Sequence, residues 1–97
     1  MALKEVTKPL GFQQIAVLTA STGLTVPGAS TGILPARMAI IHAEAQPVRW
    51  RDDGVAPTAT VGMRLQPGQE LKYDGDLKAI RFIEETASAK INISYYE

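Results

Sequence analysis

No ionisable side chain occurs between Pro9 and Ala36. The run is long enough for a membrane helix, but Thr, Ser, Gly and Ala separate its isolated Ile, Val and Leu residues, so the continuous apolar stretch of a bilayer span is missing. It reads as strand and turn. All remaining charges except Lys4, Glu5 and Lys8 lie at or beyond Arg37.

Turn chemistry divides the chain into short extended pieces. Gln13 to Thr19 is β-branched and loosely alternating, Ser21-Thr22-Gly23 turns, and Leu24-Thr25-Val26 ends at Pro27-Gly28. Arg37 to Glu44 is apolar at nearly every position, the pattern of a strand covered on both faces, with Pro35 and Pro47 bounding a span that suits a strand better than a helix. Val48-Arg49-Trp50-Arg51 alternates and runs into Asp52-Asp53-Gly54, where glycine supplies the positive φ of a hairpin or corner. Thr58 to Leu65 and Glu70 to Tyr73 flank Pro67-Gly68, and Asp74-Gly75-Asp76 turns the chain again.

The C-terminal strand alternates Ile91, Ile93 and Tyr95 with Asn92, Ser94 and Tyr96, and Ala79 to Ile83 is its nearest candidate neighbour. Leu77, Ile80, Ile83 and Ala87 also fall at helical spacing behind Asp76 as an N-cap, which leaves a helix open there. Strands arriving every 8 to 12 residues in a 97-residue chain predict one all-β domain over residues 1–97, an antiparallel β-sandwich of jelly-roll type. Residues 1–11 read as an extended N-terminal arm. The N-terminus has charges around its few apolar residues and no signal-peptide core, so the expectation is a chain that stays in the cytoplasm or leaves inside something larger.

Composition excludes most chemistry. There is no cysteine, hence no disulfide framework, thiol catalysis or thiolate zinc site. Ten basic residues balance ten acidic ones, so no net field draws nucleic acid or anionic lipid. His42 is the single imidazole and lies in the most apolar strand, where a hydrogen-bonded histidine within or beside the core is expected rather than a catalytic base. No His-x-His, His-Glu-x-x-His, Gly-x-Gly-x-x-Gly or phosphate-loop spacing is present.

Asp52-Asp53 and Asp74-Gly75-Asp76 could in principle offer oxygen ligands to calcium, but Asp and Gly are also what tight turns use for their own backbone. Trp50 with Tyr73, Tyr95 and Tyr96 could form a sugar platform, although one Trp in a small domain is more often a core anchor, with Arg49 and Arg51 on the opposite face pairing with Asp52, Asp53 or Glu44. No catalytic residue, cofactor or metal is expected, and a small-molecule ligand is not.

Over Val48-Arg49-Trp50-Arg51-Asp52-Asp53-Gly54 through Met63 the chain resembles a family of small proteins of tailed bacteriophages and prophages. The resemblance takes in Leu24-Thr25-Val26-Pro27, Glu70 to Leu77, Ile80 to Ile83 and Lys90 to Tyr96, and is most specific at Arg49, Trp50, Arg51, Asp52, Asp53 and Gly54. Gly28 to Ala36 departs from it as a longer insertion. It implies a virion structural component of the head or head-tail region, made in the host cytoplasm, with partners that are further copies of itself and a capsid or connector protein. The alternative is a receptor- or glycan-binding module of a tail fibre or spike. An uncharged edge lacks the Lys gatekeepers that suppress strand pairing, which nominates Gln13, Gln14, Thr19, Ser21, Thr22 and Thr25 as an assembly surface.

Overall fold

The computed structural model describes residues 9–27 and 36–96. These form eight strands and no helix: β1 (Pro9–Ile15), β2 (Thr22–Gly23), β3 (Met38–Glu44), β4 (Val48–Arg51), β5 (Met63–Leu65), β6 (Glu70–Tyr73), β7 (Arg81–Glu84) and β8 (Lys90–Tyr96). Two antiparallel four-stranded sheets pack together, with orders β1-β8-β3-β6 and β2-β7-β4-β5. The chain crosses from one sheet to the other at every connection except β4 to β5. This is the jelly-roll connection pattern, so the all-β sandwich expected from turn spacing is the fold.

The core lies between the sheets. Ile15, Ala39, Ile41, Ala43, Tyr73, Ile91, Ile93 and Tyr95 enter it from the first sheet, and Val48, Leu65 and Phe82 from the second. Leu18, Leu77, Ile80 and Ala89 close it from the connections. In β8 the period-two pattern behaves as expected, with Ile91, Ile93 and Tyr95 buried and Asn92, Ser94 and Tyr96 turned outward.

Strand β3 corrects one expectation. Its near-continuous apolar run is covered on one face: Ala39, Ile41 and Ala43 are buried, Ile40 is half-buried, and His42 and Glu44 are exposed. Pleating alternates side chains whatever their polarity, and an outward Ile40 hides the alternation in the sequence.

The partner expected for β8 is also different. β8 pairs with β1 and β3, while β7 lies in the opposite sheet beside β2 and β4. Residues 85–89 therefore arch across the sandwich, with Ser88 at φ 74°, instead of closing a hairpin. Leu77 to Ala79 make a single turn, in which the Ala79 and Ile80 N–H groups donate to the Asp76 carbonyl at 3.0 and 3.2 Å. The Asp76 carboxylate accepts from the Lys78 N–H at 3.0 Å, so Asp76 does cap, but Arg81 enters β7 before a second turn forms.

At the other end, β1 starts at Pro9, so Pro9 to Gly11 of the expected arm belong to the sheet; residues 1–8 lie outside the described residues. Gly28 to Pro35 of the expected insertion lie outside them too. Thr22–Gly23, expected as a turn, forms a two-residue strand against Phe82 and Arg81. Leu24 to Val26, expected as strand, is irregular, and of Thr58 to Leu65 only Met63–Leu65 is strand.

Candidate functional site

The six residues Arg49 to Gly54 build the corner between β4 and β5. Val48 and Trp50 face the core, which turns Arg49 and Arg51 onto the outer face of the second sheet. There Arg49 stands directly opposite Arg64 in the β4–β5 register, a like-charge pair that is destabilising alone. Glu85 resolves it. Its carboxylate accepts from Arg49 Nε at 3.0 Å and Arg64 Nε at 3.0 Å, with each Nη2 at 2.8 Å. Arg49 also donates to the Ala59 and Gly62 carbonyls at 3.2 and 3.0 Å, pinning the loop over residues 52–62.

The hydrogen bond from Arg64, reinforced by the Arg64 and Arg49 charges, holds the Glu85 carboxyl below the ordinary carboxylate range. A depressed folded-state pKa adds stability above the unfolded-state value, and that stability is lost as pH falls through the folded-state value. Glu85→Gln is therefore expected to melt below wild type at neutral pH, with the gap closing as pH drops below the ordinary carboxylate range. Thermal melts across an acid series check this, and a gap independent of pH contradicts it.

At the tip, Arg51 and Asp53 form a two-pronged pair, with Nε to Oδ1 at 3.0 Å, and Gly54 takes the expected positive φ, 86°. Asp52 has a different job: its carboxylate accepts the Tyr73 hydroxyl at 2.6 Å, tying the corner to β6 in the other sheet. The Trp50 ring meets Tyr73 edge-on, with centroids 6.0 Å apart at 68°. Burial, then the hydrogen bond to Asp52, pushes the Tyr73 hydroxyl up to about 12, and burial does the same for Tyr95. Each of the six residues Arg49 to Gly54 thus has a structural task.

Trp50 packs against the core, as favoured from the sequence, and the alternative of a sugar platform is not assembled. Tyr73 and Tyr95 are buried, Tyr96 is half-buried on the outer face of the first sheet, and Trp50 is half-buried against the core. His42 is hydrogen-bonded, as expected of a histidine within or beside the core, but on the outer face of its sheet: its side chain is 51% exposed and its Nε2 lies 3.1 Å from Glu70 Oε1 across the β3–β6 register. The two Asp turns do approach one another through Tyr73, whose hydroxyl also lies 3.5 Å from the Asp76 carbonyl. Among the described residues no group of three or more His, Asp or Glu side chains comes together in a way that could hold a metal ion, and no helix is long and apolar enough to cross a membrane.

The residues nominated for assembly run along one flank, where β1 lies over β2. They are largely bonded within the fold. Gln13 Oε1 accepts from the Tyr95 hydroxyl at 2.7 Å and the Thr25 N–H at 3.0 Å, tying the edge of the first sheet to the segment that follows β2. Gln14 donates to Asn92 Oδ1 at 2.9 Å on the outer face of the first sheet. Ser21 accepts Arg81 through its hydroxyl and carbonyl, both at 2.7 Å, and Thr22 donates to the Ala20 carbonyl at 2.9 Å. Thr19 and Thr25 are exposed.

Three features of the molecular surface carry no clear signal in the sequence. Phe12 projects from β1 with 68% of its surface exposed, and Val17 follows it at 70%. Trp50, Val61, Gly62 and Met63 line an open depression of about 380 Å³ beside the Arg51–Asp53 pair. The outer face of the second sheet gathers four arginines in two facing pairs, Arg49 with Arg64 and Arg51 with Arg81. The alternation of Val48 to Arg51 signals the outward direction of two of them, whereas the pairing with Arg64 and Arg81 needs the register. No family model matches the chain, and neither a curated protein nor a solved structure does.

Proposed function

We propose that the chain is a non-enzymatic structural subunit of a tailed-phage particle, a head decoration, cement or head-tail accessory protein that acts by oligomeric assembly. The observation that carries this reading is the β1 flank. Among the four edge strands formed by the described residues, β1 is the only long one without a charge; β6 carries exposed Glu70 and Lys72, β5 carries Arg64, and β2 has two residues. An uncharged edge with Phe12 and Val17 exposed is a template for association, and natural sheets guard such edges unless a partner covers them. The family resemblance at Arg49 to Gly54 supplies the particle. Many copies, each bound weakly, then hold by avidity on a repeating shell.

The partners under this reading are further copies of the chain and a capsid or connector protein, and the location is the virion. Because the flank is uncharged, attachment is expected to survive raised ionic strength. Quantitative mass spectrometry of purified particles, washed in low and high salt, tests the reading. A constant copy number per particle in both washes supports it. A chain found free in the lysate and absent from particles contradicts it.

A further inference from the structure

The exposed large apolar side chains of the described residues form two groups on opposite flanks. Phe12 and Val17 belong to the β1 flank of the first sheet. Val55, Val61 and Met63 belong to the β4–β5 loop and to β5, the far edge of the second sheet, where Val61 and Met63 line the Trp50 depression. One group is a projecting aromatic ring. The other surrounds a hollow.

The chemistry of the hollow selects its occupant. Its floor is predominantly apolar, and its charged rim is already satisfied: Arg51 by Asp53, and Asp52 by Tyr73. A sugar, which needs unengaged donors and acceptors around its hydroxyls, finds few there. An apolar side chain on an uncharged surface covers the rim without leaving any charge unpaired. Such a side chain exists on the molecule itself, since Phe12 projects from the segment Pro9 to Pro27, which carries no charge.

We propose, building on the assembly reading above, that Phe12 of one copy seats in the Trp50–Val61–Met63 depression of the next, so that copies join head to tail. The two surfaces differ and lie on opposite flanks, so the contact is heterologous and propagates into a ring or an open row. A single aromatic anchor makes each contact weak, as suits a subunit held by repetition.

Phe12→Lys and Met63→Lys each change an exposed residue, and matching thermal melts verify that both variants fold. In size-exclusion chromatography with light scattering over a concentration series, wild type is expected to form higher oligomers. Each variant alone is expected to lose association by about thirtyfold or more, the effect of removing a hot-spot anchor. An equimolar mixture is expected to recover one contact and stop at a dimer, because each variant keeps one intact surface. Trp50 emission is expected to shift to the blue as that dimer forms.

A mixture that associates no better than its components, or a Met63→Lys protein that assembles like wild type, overturns the pairing. So does an oligosaccharide that changes Trp50 emission of a monomeric wild-type chain, which would give the depression to a sugar. Wild type that is monomeric at every concentration yet present on particles at fixed copy number refutes the pairing and leaves the assembly reading intact; absence from particles refutes that reading instead.

Discussion

Phe82→Ala is expected to cost about 3–5 kcal/mol, the range for deleting a fully buried phenyl ring from a core. Phe82 has no exposed surface and stands in register between Thr22 on β2 and Trp50 on β4, at the middle of the second sheet's inner face. Its neighbours are fixed in paired strands, so the hole does not collapse. A domain of this size has roughly 5–15 kcal/mol of stability in total, so the variant loses a large share of it. The melting temperature is expected to fall by roughly 15–30 °C in a calorimetric scan. Val17→Ala, at an exposed site, is expected to stay within about 0.5 kcal/mol of wild type and serves as the comparison. Equal losses from both variants would mean that the inner and outer faces are assigned wrongly.

Gly75→Ala is expected to cost about 1–3 kcal/mol, the range for overpacking a filled site. A Cβ at position 75 would lie 2.6 Å from Cζ of Tyr73, well inside contact distance, and closer still to its hydroxyl. The ring cannot swing away freely. Its edge contact with Trp50 and its 2.6 Å hydrogen bond to Asp52 hold it from two sides, and it is part of the core. Relief of the overlap must break one of these, so Trp50 emission is expected to change along with the lowered melting temperature. A Gly75→Ala protein with wild-type stability and emission would show that Tyr73 does not occupy this position.

Much of this architecture was legible before the fold was seen, because turns announce themselves chemically. Asp52-Asp53-Gly54, Pro67-Gly68 and Asp74-Gly75-Asp76 all separate strands, and the alternation of Ile91 to Tyr96 correctly identifies the buried face of β8. Pairing was not legible in the same way. A jelly roll sends nearly every connection across the core, so neighbours in sequence such as β7 and β8 lie in different sheets, and no local pattern distinguishes an arch from a hairpin. Distant register has the same effect on the site. Glu85 bridging Arg49 and Arg64, and Tyr73 reaching Asp52, join side chains well separated along the chain.

His42 shows the same limit on a single side chain. A hydrogen bond within or beside the core is the sequence expectation, and the bond exists, to Glu70; but the strand turns successive side chains to opposite faces, and Ala39, Ile41 and Ala43 take the inner one. The uncharged run from Pro9 was legible as an edge at risk of association, but its polar residues prove to be engaged internally. Gln13 spends its amide oxygen on Tyr95 and Thr25, and Ser21 accepts Arg81. What the flank offers outward is Phe12, which the pleat turns away from the face of the buried Ile15, and Val17, which lies beyond the end of β1.

Amide hydrogen exchange, compared between the free domain and the domain assembled on particles, tests most directly the claim that this molecule works through its β1 flank. The account predicts that amides of Pro9–Ile15 and the following segment slow on assembly, while those of β6, the charged edge of the same sheet, exchange as before. Unchanged exchange along β1, with protection appearing at β6 or nowhere, would contradict it.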